Sequence, residues 1–421
     1  MTDRQAGMEE VPPGYKRTEM GVVPEEWRHC RLGDCGEVIM GQSPPGASYN
    51  RTGIGSPLIN GPTEFTDLHP IKIQWTTQPA KFCKPGDLLI CVRGSSTGRI
   101  NYANDTYAIG RGVAAIRAKG DNNTTYLSYQ VISAVSDILA AATGSTFPSV
   151  DGKSLRSIGI PLPLASEQRA IAAALSDADG LIGALDALIE KKRAVKQAAM
   201  QQLLTGKKRL PGFSGECEMR YIGEFTDCTA GGTPSKLNPE YWGGQIRWMS
   251  SGELNHKIVL DVEGRITDKG LRNSSTKIIP PRCVLVGLAG QGKTRGTVAM
   301  NMVELCTNQS IAAIFPNDTF VPEYLYYNLD ARYDELRGMS SGAGGRGGLN
   351  LRIIRSIAVP FPSVSEQHAI ATVLSDMDAE IAALERRREK AEQIKQGMMQ
   401  QLLTGKVRLV EPECEGSAAL C

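Results

Sequence analysis

Residues 166–207 read SEQRAIAAALSDADGLIGALDALIEKKRAVKQAAMQQLLTGK, and residues 365–406 read SEQHAIATVLSDMDAEIAALERRREKAEQIKQGMMQQLLTGK. The two stretches are related by a constant offset of 199 positions, and seven consecutive residues, Gln201–Lys207, recur unchanged as Gln400–Lys406. Similarity at a fixed distance is the signature of an internally repeated architecture. The sequence therefore predicts two copies of one long helix, each following a globular segment.

Each copy begins after a strand end that contains proline, IGIPLPLASEQ at 158–168 and IAVPFPSVSEQ at 357–367. Proline cannot continue a helix, and it favours extended geometry in the residue before it. A serine that follows such a strand end is well suited to accept a hydrogen bond from the first helical turn. We therefore expect Ser166 and Ser365 to be the N-caps of the two helices.

The charges and glycines at the helix ends support the same boundaries. Glu167 and Glu366 are expected in the first turn, where a carboxylate meets the positive end of the helix dipole. Gly206 and Gly405, in the shared LLTGK sequence, are expected just past the helix ends, where a left-handed residue is favoured. About 39 helical residues at ~1.5 Å each span roughly 58 Å, a length that suits a spacer.

Apolar residues recur along both copies with alternating spacings of four and three. Such a heptad seam predicts helices that pack against each other along their length. The residues of the seam are Ile171, Leu175, Ala178, Ile182, Leu185 and Ile189 in the first copy and Ile370, Leu374, Met377, Ile381 and Leu384 in the second.

The globular segments before the helices also repeat, with an offset that drifts from 190 to 199 because of insertions in loops. Strands are predicted at 87–92 and 112–118, and a helix at 126–142, each with a counterpart in the second half. The matching pairs are Arg31–Asp34 with Tyr221–Glu224, 41–50 with 231–242, 87–94 with 283–290, 112–118 with 310–316 and 126–131 with 324–329. A shared framework with different loops predicts two related domains that bind different ligands.

Length and composition are those of an ordinary soluble protein. The chain has 421 residues, enough for two or three domains, and a net charge of +2, which by itself does not indicate a nucleic-acid-binding protein. No apolar leader follows Met1 and no run of about 18 apolar residues occurs, so a cytoplasmic protein is expected. The ten cysteines form no CxxC pair and the four histidines are scattered, so reduced thiols and no metal site are expected.

The stretch Gly287-Leu-Ala-Gly-Gln-Gly-Lys293-Thr294 satisfies the pattern of a phosphate-binding loop. Such a loop must open a helix whose amides bind the phosphates. The residues that follow, RGTVAMNMVELC, alternate in polarity and carry no capping signal, so we expect a hairpin instead. No other catalytic pattern stands out, which favours a binding or scaffolding protein.

The doubled PLPLASEQRAIAAALSDAD and PFPSVSEQHAIATVLSDMD, the two QQLLTGK helix ends and YKRTEMGVVPEEW at 15–27 together resemble the specificity (S) subunits of type I restriction–modification enzymes. The resemblance covers residues 14–410. It implies an α+β fold in which two target-recognition domains are each followed by a long helix. The two helices are then expected to pack as an antiparallel coiled coil that gives the internal repeat a pseudo-twofold arrangement.

The resemblance predicts the following segments and partners. The segments are a lead at 1–26, domain 1 at 27–153, spacer helix 1 at 154–210, domain 2 at 211–352, spacer helix 2 at 353–410 and a tail at 411–421. Each domain would read one half of a bipartite, asymmetric site in double-stranded DNA, and helix length would set the gap. The chain itself would have no catalytic residues, metal or cofactor. Two methyltransferase subunits would bring S-adenosylmethionine, and restriction (translocase) subunits would bring ATP and magnesium.

Base recognition requires Arg or Lys opposite guanine and Asn or Gln opposite adenine, with Ser and Thr as adaptable partners. Polar residues of matching loops are therefore candidates for contacts with DNA. They are Gln42, Ser43, Arg51, Arg93, Ser95, Arg99 and Arg111 in domain 1, and Thr233, Lys236, Ser250, Gln291, Lys293, Arg295, Gln309 and Arg346 in domain 2. A solvated surface role is the alternative for each of them.

Residues that both helix ends share are candidates for binding the methyltransferase subunits, namely Gln201, Gln202, Arg209, Gln400, Gln401 and Arg408. Two other interpretations remain open at this stage. One is a nucleotide-binding protein that uses Gly287–Thr294 with Lys293. The other is a coiled-coil scaffold that does not contact DNA.

Overall fold

The computed structural model describes residues 11–18, 21–141, 149–215, 217–290, 293–339 and 348–409. The chain forms two compact units. The first comprises the described residues up to Ala184 together with those from Arg387 onward, and the second comprises Leu185–Arg386. Both long helices are therefore divided between units, so the units differ from the predicted segments, in which each helix stands apart from the domains.

The first unit contains a complete α+β domain. Its strands are β1 (Tyr15–Thr18), β2 (Gly21–Pro24), β3 (Arg28–Arg31), β4 (Gly36–Met40), β5 (Tyr49–Asn50), β6 (Ser56–Ile59), β7 (Trp75–Thr76), β8 (Phe82–Cys83), β9 (Leu88–Cys91), β10 (Ile100–Tyr102), β11 (Tyr107–Ile109), β12 (Val113–Ala118) and β13 (Gly159–Leu162). Its helices are α1 (Leu32–Cys35), α2 (Thr124–Ala141), α3 (Gly152–Ser157), the beginning of α4 (Ala165–Leu203) and a 3₁₀ turn at Gly46–Ser48.

The second unit contains a related set of elements. Its strands are β14 (Glu218–Tyr221), β15 (Cys228–Ala230), β16 (Trp242–Met249), β17 (Ile258–Val259), β18 (Arg265–Ile266), β19 (Ile278–Ile279), β20 (Val284–Gly287), β21 (Val298–Asn301), β22 (Leu305–Thr307), β23 (Ile311–Ile314) and β24 (Ala358–Phe361). Its helices are α5 (Ile222–Phe225), α6 (Asp268–Arg272), α7 (Pro322–Asp330), α8 (Tyr333–Gly338), α9 (Leu351–Arg355), the beginning of α10 (Val364–Leu402) and 3₁₀ turns at Pro239–Tyr241 and Ser251–His256.

Each sheet of domain 1 shares four strands with its counterpart in domain 2, whereas β5 of domain 1 and β17 of domain 2 have no counterpart. Domain 1 has sheets of order β10-β9-β12-β4 and β5-β7-β6-β11-β8, and domain 2 has β15-β23-β20-β21-β17 and β18-β16-β22-β19. The pair β6 and β11 of domain 1 is parallel, as is its counterpart β16 and β22 in domain 2, and domain 2 has a second parallel pair, β17 with β21. The repeat predicted from sequence is therefore present in the globular segments as well as in the helices.

The central strands are buried on both faces, which explains their continuous apolar sequences. In β9, Leu88 and Ile90 face the core that holds α2 and the long helices, whereas Leu89 and Cys91 face the core between the sheets. In β20, Val284 and Val286 face the helix side and Leu285 faces the other core. The strands predicted at 87–92 and 112–118 and the helix predicted at 126–142 are confirmed to within two residues.

Equivalent tyrosine–aspartate–lysine groups join the long helices inside each unit. In the first unit Lys395 Nζ lies 2.6 Å from Asp179, which also accepts a 2.6 Å hydrogen bond from Tyr129. In the second unit Lys196 Nζ lies 2.5 Å from Asp378, which accepts a 2.9 Å bond from Tyr327.

Further contacts give the direction of the helix pair within each unit. In the first unit residue 408 contacts residue 167, and in the second unit residue 209 contacts residue 366. Residue numbers on α4 therefore rise as those on α10 fall, so the helices run antiparallel inside each unit. The seam residues Ile171, Leu175 and Leu374 are fully buried, as the heptad pattern predicts. A supercoil along the whole length stays a prediction.

The repeated QQLLTGK sequence has a structural explanation, because each copy docks on the domain of its own unit. Gln130 on α2 donates a 2.9 Å hydrogen bond to the carbonyl of Leu403, at the end of α10. Asn328 on α7 donates a 3.1 Å bond to the carbonyl of Leu204, at the end of α4. The leucines of both ends are buried in the respective cores.

The predicted ends of the helices are partly confirmed. Gly206 and Gly405 have φ of +70° and +71°, the left-handed geometry expected of them. The N-cap prediction for Ser166 and Ser365 is wrong, because α4 and α10 begin at Ala165 and Val364, one residue before each serine, which places both serines inside the first turn. In the second copy Ser363 takes the capping role, since its Oγ accepts from the Glu366 amide at 3.3 Å.

Candidate nucleic-acid interface

Three loops meet at one edge of the four-stranded sheet in domain 1. Strands β4 and β9 end at this edge and β12 begins there, because β12 is antiparallel to both. Backbone hydrogen bonds join the loops, from Gly41 to Val113 and from Val92 to Gly112, each 2.9 Å long. The edge gathers five of the seven candidates in this domain: Gln42, Ser43, Arg93, Ser95 and Arg111.

Domain 2 repeats this arrangement. Strands β15 and β20 end where β23 begins. The amide of Gly231 donates to the Ile311 carbonyl at 3.3 Å, and that of Leu288 to the Ser310 carbonyl at 2.7 Å. The loops that meet here carry Thr233, Lys236, Lys293, Arg295 and Gln309.

One pair of residues occupies the centre of each cluster. In domain 1 the hydroxyl of Ser43 accepts a 3.3 Å hydrogen bond from the backbone amide of Arg111, whose side chain is exposed. In domain 2 the hydroxyl of Thr233 donates a 2.5 Å bond to Oε1 of Gln309, whose side chain is also exposed. Matching loops therefore present an arginine in one domain and a glutamine in the other.

The close approach of these loops requires glycine at both equivalent positions. A Cβ at Gly41 would lie 2.2 Å from the carbonyl oxygen of Gly110, and one at Gly231 would lie 2.0 Å from that of Thr307. Both obstacles are backbone atoms, which cannot swing away as a flexible side chain can. A larger residue at either position would push the two loops of that cluster apart.

We expect Gly41→Ala to destabilise the protein by about 1–3 kcal/mol, the usual cost of overpacking. The matched control is Gly46→Ala in the same loop, where a Cβ would meet nothing within 4 Å. Denaturant titrations of both variants measure the effect. Equal midpoints for the two variants would show that the loop moves aside at little cost and that glycine is not required there.

Several candidates hold their own loops in the structure. The guanidinium of Arg99 donates to the carbonyls of Pro62 (3.3 Å) and Phe65 (2.9 Å), so it braces a loop inside domain 1. Ser250 caps a 3₁₀ turn, and its hydroxyl donates to Glu253 at 2.9 Å. These two side chains are therefore engaged internally and are the weakest candidates for base contacts.

The remaining candidates differ in their surroundings. Arg51 is exposed in the turn after β5, apart from the cluster at the sheet edge. Arg93 is exposed, and its backbone forms a bridge with Ser149. Gln291 and Arg346 lie outside the described residues, so their predicted contacts with DNA stay predictions.

Sequence reasoning missed the residues that fix the loop at 231–242. Trp248 Nε1 donates to the carbonyl of Gly232 at 2.9 Å, and Trp242 Nε1 donates to that of Ser235 at 3.1 Å. The two indole rings pack edge to face with centroids 5.0 Å apart. Two of the chain's four tryptophans lie within seven residues at this loop, and this clustering is the signal that could have found them.

The stretch that matches a phosphate-binding loop does not open a helix. Gly287 ends β20, and β21 follows at Val298 as its antiparallel neighbour, so the expected hairpin is confirmed. The carbonyl of Lys293 accepts from the Tyr333 hydroxyl at 3.0 Å. Without a helix N-terminus, this stretch lacks the amide geometry that binds phosphate in such loops.

The candidate partner residues fall into two groups. The side chains of Gln201, Gln202, Gln400 and Gln401 are exposed on the last turns of α4 and α10, where a partner could reach them. Arg209 and Arg408 are engaged inside the protein instead, and for these two arginines the prediction of a partner-facing role needs correction.

Each arginine pairs with the buried glutamate of a helix first turn. Arg209 donates to both carboxylate oxygens of Glu366, which is fully buried. Arg408 donates to both oxygens of Glu167 at 2.5 and 2.8 Å and to Glu26 at 2.5 Å. The hydrogen bond from Arg408 lowers the pKa of Glu26, and the hydrogen bond to Glu167 raises the pKa of Arg408.

The described cysteines are free thiols, and most are buried. Burial raises the pKa of Cys83 and Cys91 to about 11 and that of Cys283 and Cys306 to about 12, so these thiols are protonated at neutral pH and poor nucleophiles. Over the described ranges, no group of His, Cys, Asp and Glu is placed to hold a metal ion. None of the helices there combines the length and apolar character that a bilayer crossing requires.

These features define a class of protein, a duplicated α+β binding protein whose two domains present different polar side chains on equivalent sheet edges. Residues 24–191 and 215–396 each match the family model described as the type I restriction modification DNA specificity domain. The chain belongs to this family. The expected α+β fold with two repeated domains is confirmed by this match together with the mixed sheets and long helices of both units. The coiled coil stays a prediction.

Individual relatives agree with the family. The chain is 36% identical over 199 residues to the putative type I restriction enzyme MjaX specificity subunit of Methanocaldococcus jannaschii, a match that covers 47% of each chain. It is 27% identical over 237 residues to the EcoR124I/EcoR124II specificity subunit of Escherichia coli, covering 54% of this chain and 57% of that one. The chain thus spans about half the length of these curated relatives.

Two longer matches extend over most of the chain. The MjaVIII specificity subunit of M. jannaschii is 23% identical over 419 residues, which is 92% of this chain and 94% of that one. The crystal structure of a type I restriction-modification S subunit from M. genitalium superposes with a TM-score of 0.59 at 16% identity, covering 89% of this chain and 96% of that one. This structural likeness supports the fold.

Proposed function

We propose that this protein is the sequence-reading subunit of a type I restriction–modification complex. Each domain would read one half of a bipartite, asymmetric site in double-stranded DNA. The observation that carries the proposal is the pair of equivalent loop clusters with different side chains at their centres, Arg111 in domain 1 and Gln309 in domain 2. Arginine suits guanine and glutamine suits adenine, so the two halves would read different bases.

Two different domains on one chain avoid the constraint that a symmetric dimer imposes, which is a palindromic site. Phosphate contacts would come from exposed cations near the clusters, such as Arg93 and Lys293, and would orient the duplex without reading it. The long helices would set the gap between the two half-sites.

The chemistry would belong to partner subunits. Two methyltransferase subunits would bind S-adenosylmethionine and methylate adenine, and restriction subunits would use ATP and magnesium. The exposed glutamines near the ends of α4 and α10 are the docking residues that we propose for the methyltransferases. The names of the relatives support a subunit of such an enzyme, and the complex would act on DNA in the cytoplasm.

The alternative of a nucleotide-binding protein has less support, because the stretch Gly287–Thr294 leads into a hairpin. Titration with ATP in a calorimeter tests it directly. Heat of binding that disappears in Lys293→Ala would favour that alternative over the proposal.

A methylation map at base resolution tests the proposed function. The chain is expressed with its methyltransferase subunit in a host that lacks other DNA methylation, and the modified adenines are read by sequencing. A bipartite motif that appears only when this chain is present is the expected result. Exchange of residues 28–150 for those of a relative is then expected to change one half of the motif only. Absence of methylation, or a motif independent of this chain, would contradict the proposal.

A further inference from the structure

The loop at 231–242 in domain 2 carries an apolar side chain at its tip. Leu237 is 95% exposed, the largest exposed fraction among the large apolar side chains of the described residues. Its neighbour Lys236 is exposed as well. Single exposed leucines are common on protein surfaces, so exposure alone carries no function. The loop around Leu237 supplies the further evidence.

The loop holds Leu237 outward in a fixed position. The amide of Leu237 donates to the hydroxyl of Ser235 at 3.3 Å, and the amide of Asn238 donates to the Ser235 carbonyl at 3.3 Å. That same carbonyl accepts from Trp242, while Trp248 fixes the loop at Gly232. A leucine that could turn toward the apolar core would bury itself. This one is kept in solvent by a loop whose backbone is held by hydrogen bonds at Gly232, Ser235, Leu237 and Asn238.

Domain 1 has no such tip. Pro44 and Pro234 occupy equivalent positions in the two repeats, and the same register places Ala47 opposite Leu237 and Gly46 opposite Lys236. The loop framework is shared, whereas the projecting Lys-Leu pair occurs only in domain 2. A feature needed for folding would be expected in both domains, so the tip fits a role in recognition.

We propose that Leu237 reads a thymine in the half-site of domain 2 by contact with its C5-methyl group. The thymine methyl is the apolar feature on the base edges of the major groove, and a leucine, which makes no hydrogen bonds, can recognise it. Gln309, in the same loop cluster, suits adenine in the same groove. Lys236 then contacts a phosphate beside the groove. This inference rests on the proposed function, because it requires that domain 2 binds duplex DNA.

Replacement of thymidine by deoxyuridine tests the contact, since it removes the C5-methyl group and preserves base pairing. The methylation map first supplies the half-site. Affinity of the complex with its methyltransferase subunits is then measured on duplexes in which each thymine of that half-site is replaced singly. One replacement is expected to weaken binding about fourfold, the value of one buried methyl group. In the Leu237→Ala complex that replacement is expected to have no effect.

Two variants provide controls. Leu260→Ala removes another exposed leucine of the same domain, 69% exposed beside β17, and is expected to leave the response to deoxyuridine unchanged. Lys236→Ala is expected to weaken binding to all duplexes alike and to reduce its salt dependence.

Equal binding of the wild-type complex to every substituted duplex would overturn the inference while leaving specific methylation intact. Loss of specific methylation in the wild-type complex would instead overturn the proposed function itself. A Leu237→Ala complex that binds every duplex less well and still responds to deoxyuridine would also overturn the inference, and would indicate a wedge between bases.

Discussion

Replacement of Arg408 by alanine is expected to destabilise the first unit by about 3 kcal/mol, near the lower end of the range for breaking a buried ion pair. Glu167 is 2% exposed, and two of its hydrogen bonds come from Arg408. Without the guanidinium, the buried carboxylate of Glu167 loses two hydrogen bonds and a neighbouring positive charge, which together offset the cost of its burial. Trp27 Nε1 still donates to it at 3.0 Å, which is why the lower end of the range applies.

Replacement of Arg209 by alanine is expected to have the larger effect of the two, in the second unit. Glu366 is fully buried. Within the described residues, the side chain that donates hydrogen bonds to its carboxylate is Arg209. The repeat places Cys217 where the first unit has Trp27, so no indole N–H is available to take over. The two variants thus form a matched pair, each confined to one unit.

Hydrogen exchange resolved by peptide is the appropriate measurement, because a chain with two units need not unfold in one step. Arg408→Ala is expected to speed exchange in β9, β12 and α2, and Arg209→Ala in β20, β23 and α7. The double variant Arg408→Met with Glu167→Gln is expected to recover most of the loss, because no charge is then left buried. Equal acceleration in both units by either single variant would contradict the assignment of each pair to one unit.

Local sequence signals predicted most of the framework. The apolar runs within 87–92 and 283–290 contain strands β9 and β20, which are buried on both faces, and a continuous apolar run is the pattern such strands produce. The two glycines of LLTGK adopt the expected left-handed geometry. These features depend on neighbours in sequence and occur twice, so one copy corroborates the other.

Contacts between distant residues were the part that sequence could not supply. From sequence, Arg99 is a candidate for contact with DNA, and Arg209 and Arg408 are candidates for contact with a partner. In the structure each guanidinium binds groups at least 30 residues away in sequence. The sequence does not distinguish an arginine that forms a bidentate pair with a buried glutamate from one that binds a phosphate. The prediction that Ser166 and Ser365 are N-caps is wrong for a related reason. The buried side chains of Gln168 and Gln367 donate to carbonyls of the preceding prolines, at 2.9 Å in each copy. This hydrogen bond occurs in both helices together with a helix start before the serine.

Exchanging the proposed base-contacting residues Arg111 and Gln309 between the domains is expected to have the second large effect. Arg111→Gln is expected to change the preferred base at one position of the domain 1 half-site from guanine to adenine. Gln309→Arg is expected to make the opposite change in the domain 2 half-site. A good bidentate pair contributes about 1–3 kcal/mol of discrimination, or roughly 5- to 150-fold in relative binding. The methylation map reports both changes at single-base resolution.

Thr233→Val distinguishes a reader from the residue that positions it. The threonine hydroxyl donates to Oε1 of Gln309 at 2.5 Å, which orients the amide so that Nε2 can donate to N7 of adenine and the second lone pair of Oε1 can accept from N6. Loss of the hydroxyl is expected to broaden the preference at the Gln309 position without replacing it by another base. Arg111→Gln and Gln309→Arg, in contrast, substitute one preference for another.

Lys84→Gln is the control for charge, because this exposed lysine precedes β9 at the opposite end of the four-stranded sheet from Arg111. It removes one positive charge, as Arg111→Gln does, and is expected to leave the motif unchanged.

A loss of methylation that is uniform across all sequences in Arg111→Gln would assign this arginine to a phosphate, since phosphate contacts carry no sequence information. A change confined to one base pair in one half of the motif would assign it to a base edge. Because Gln309 occupies the matching loop, the reciprocal variant must then act in the other half, and this reciprocity separates direct reading from a general weakening of the fold.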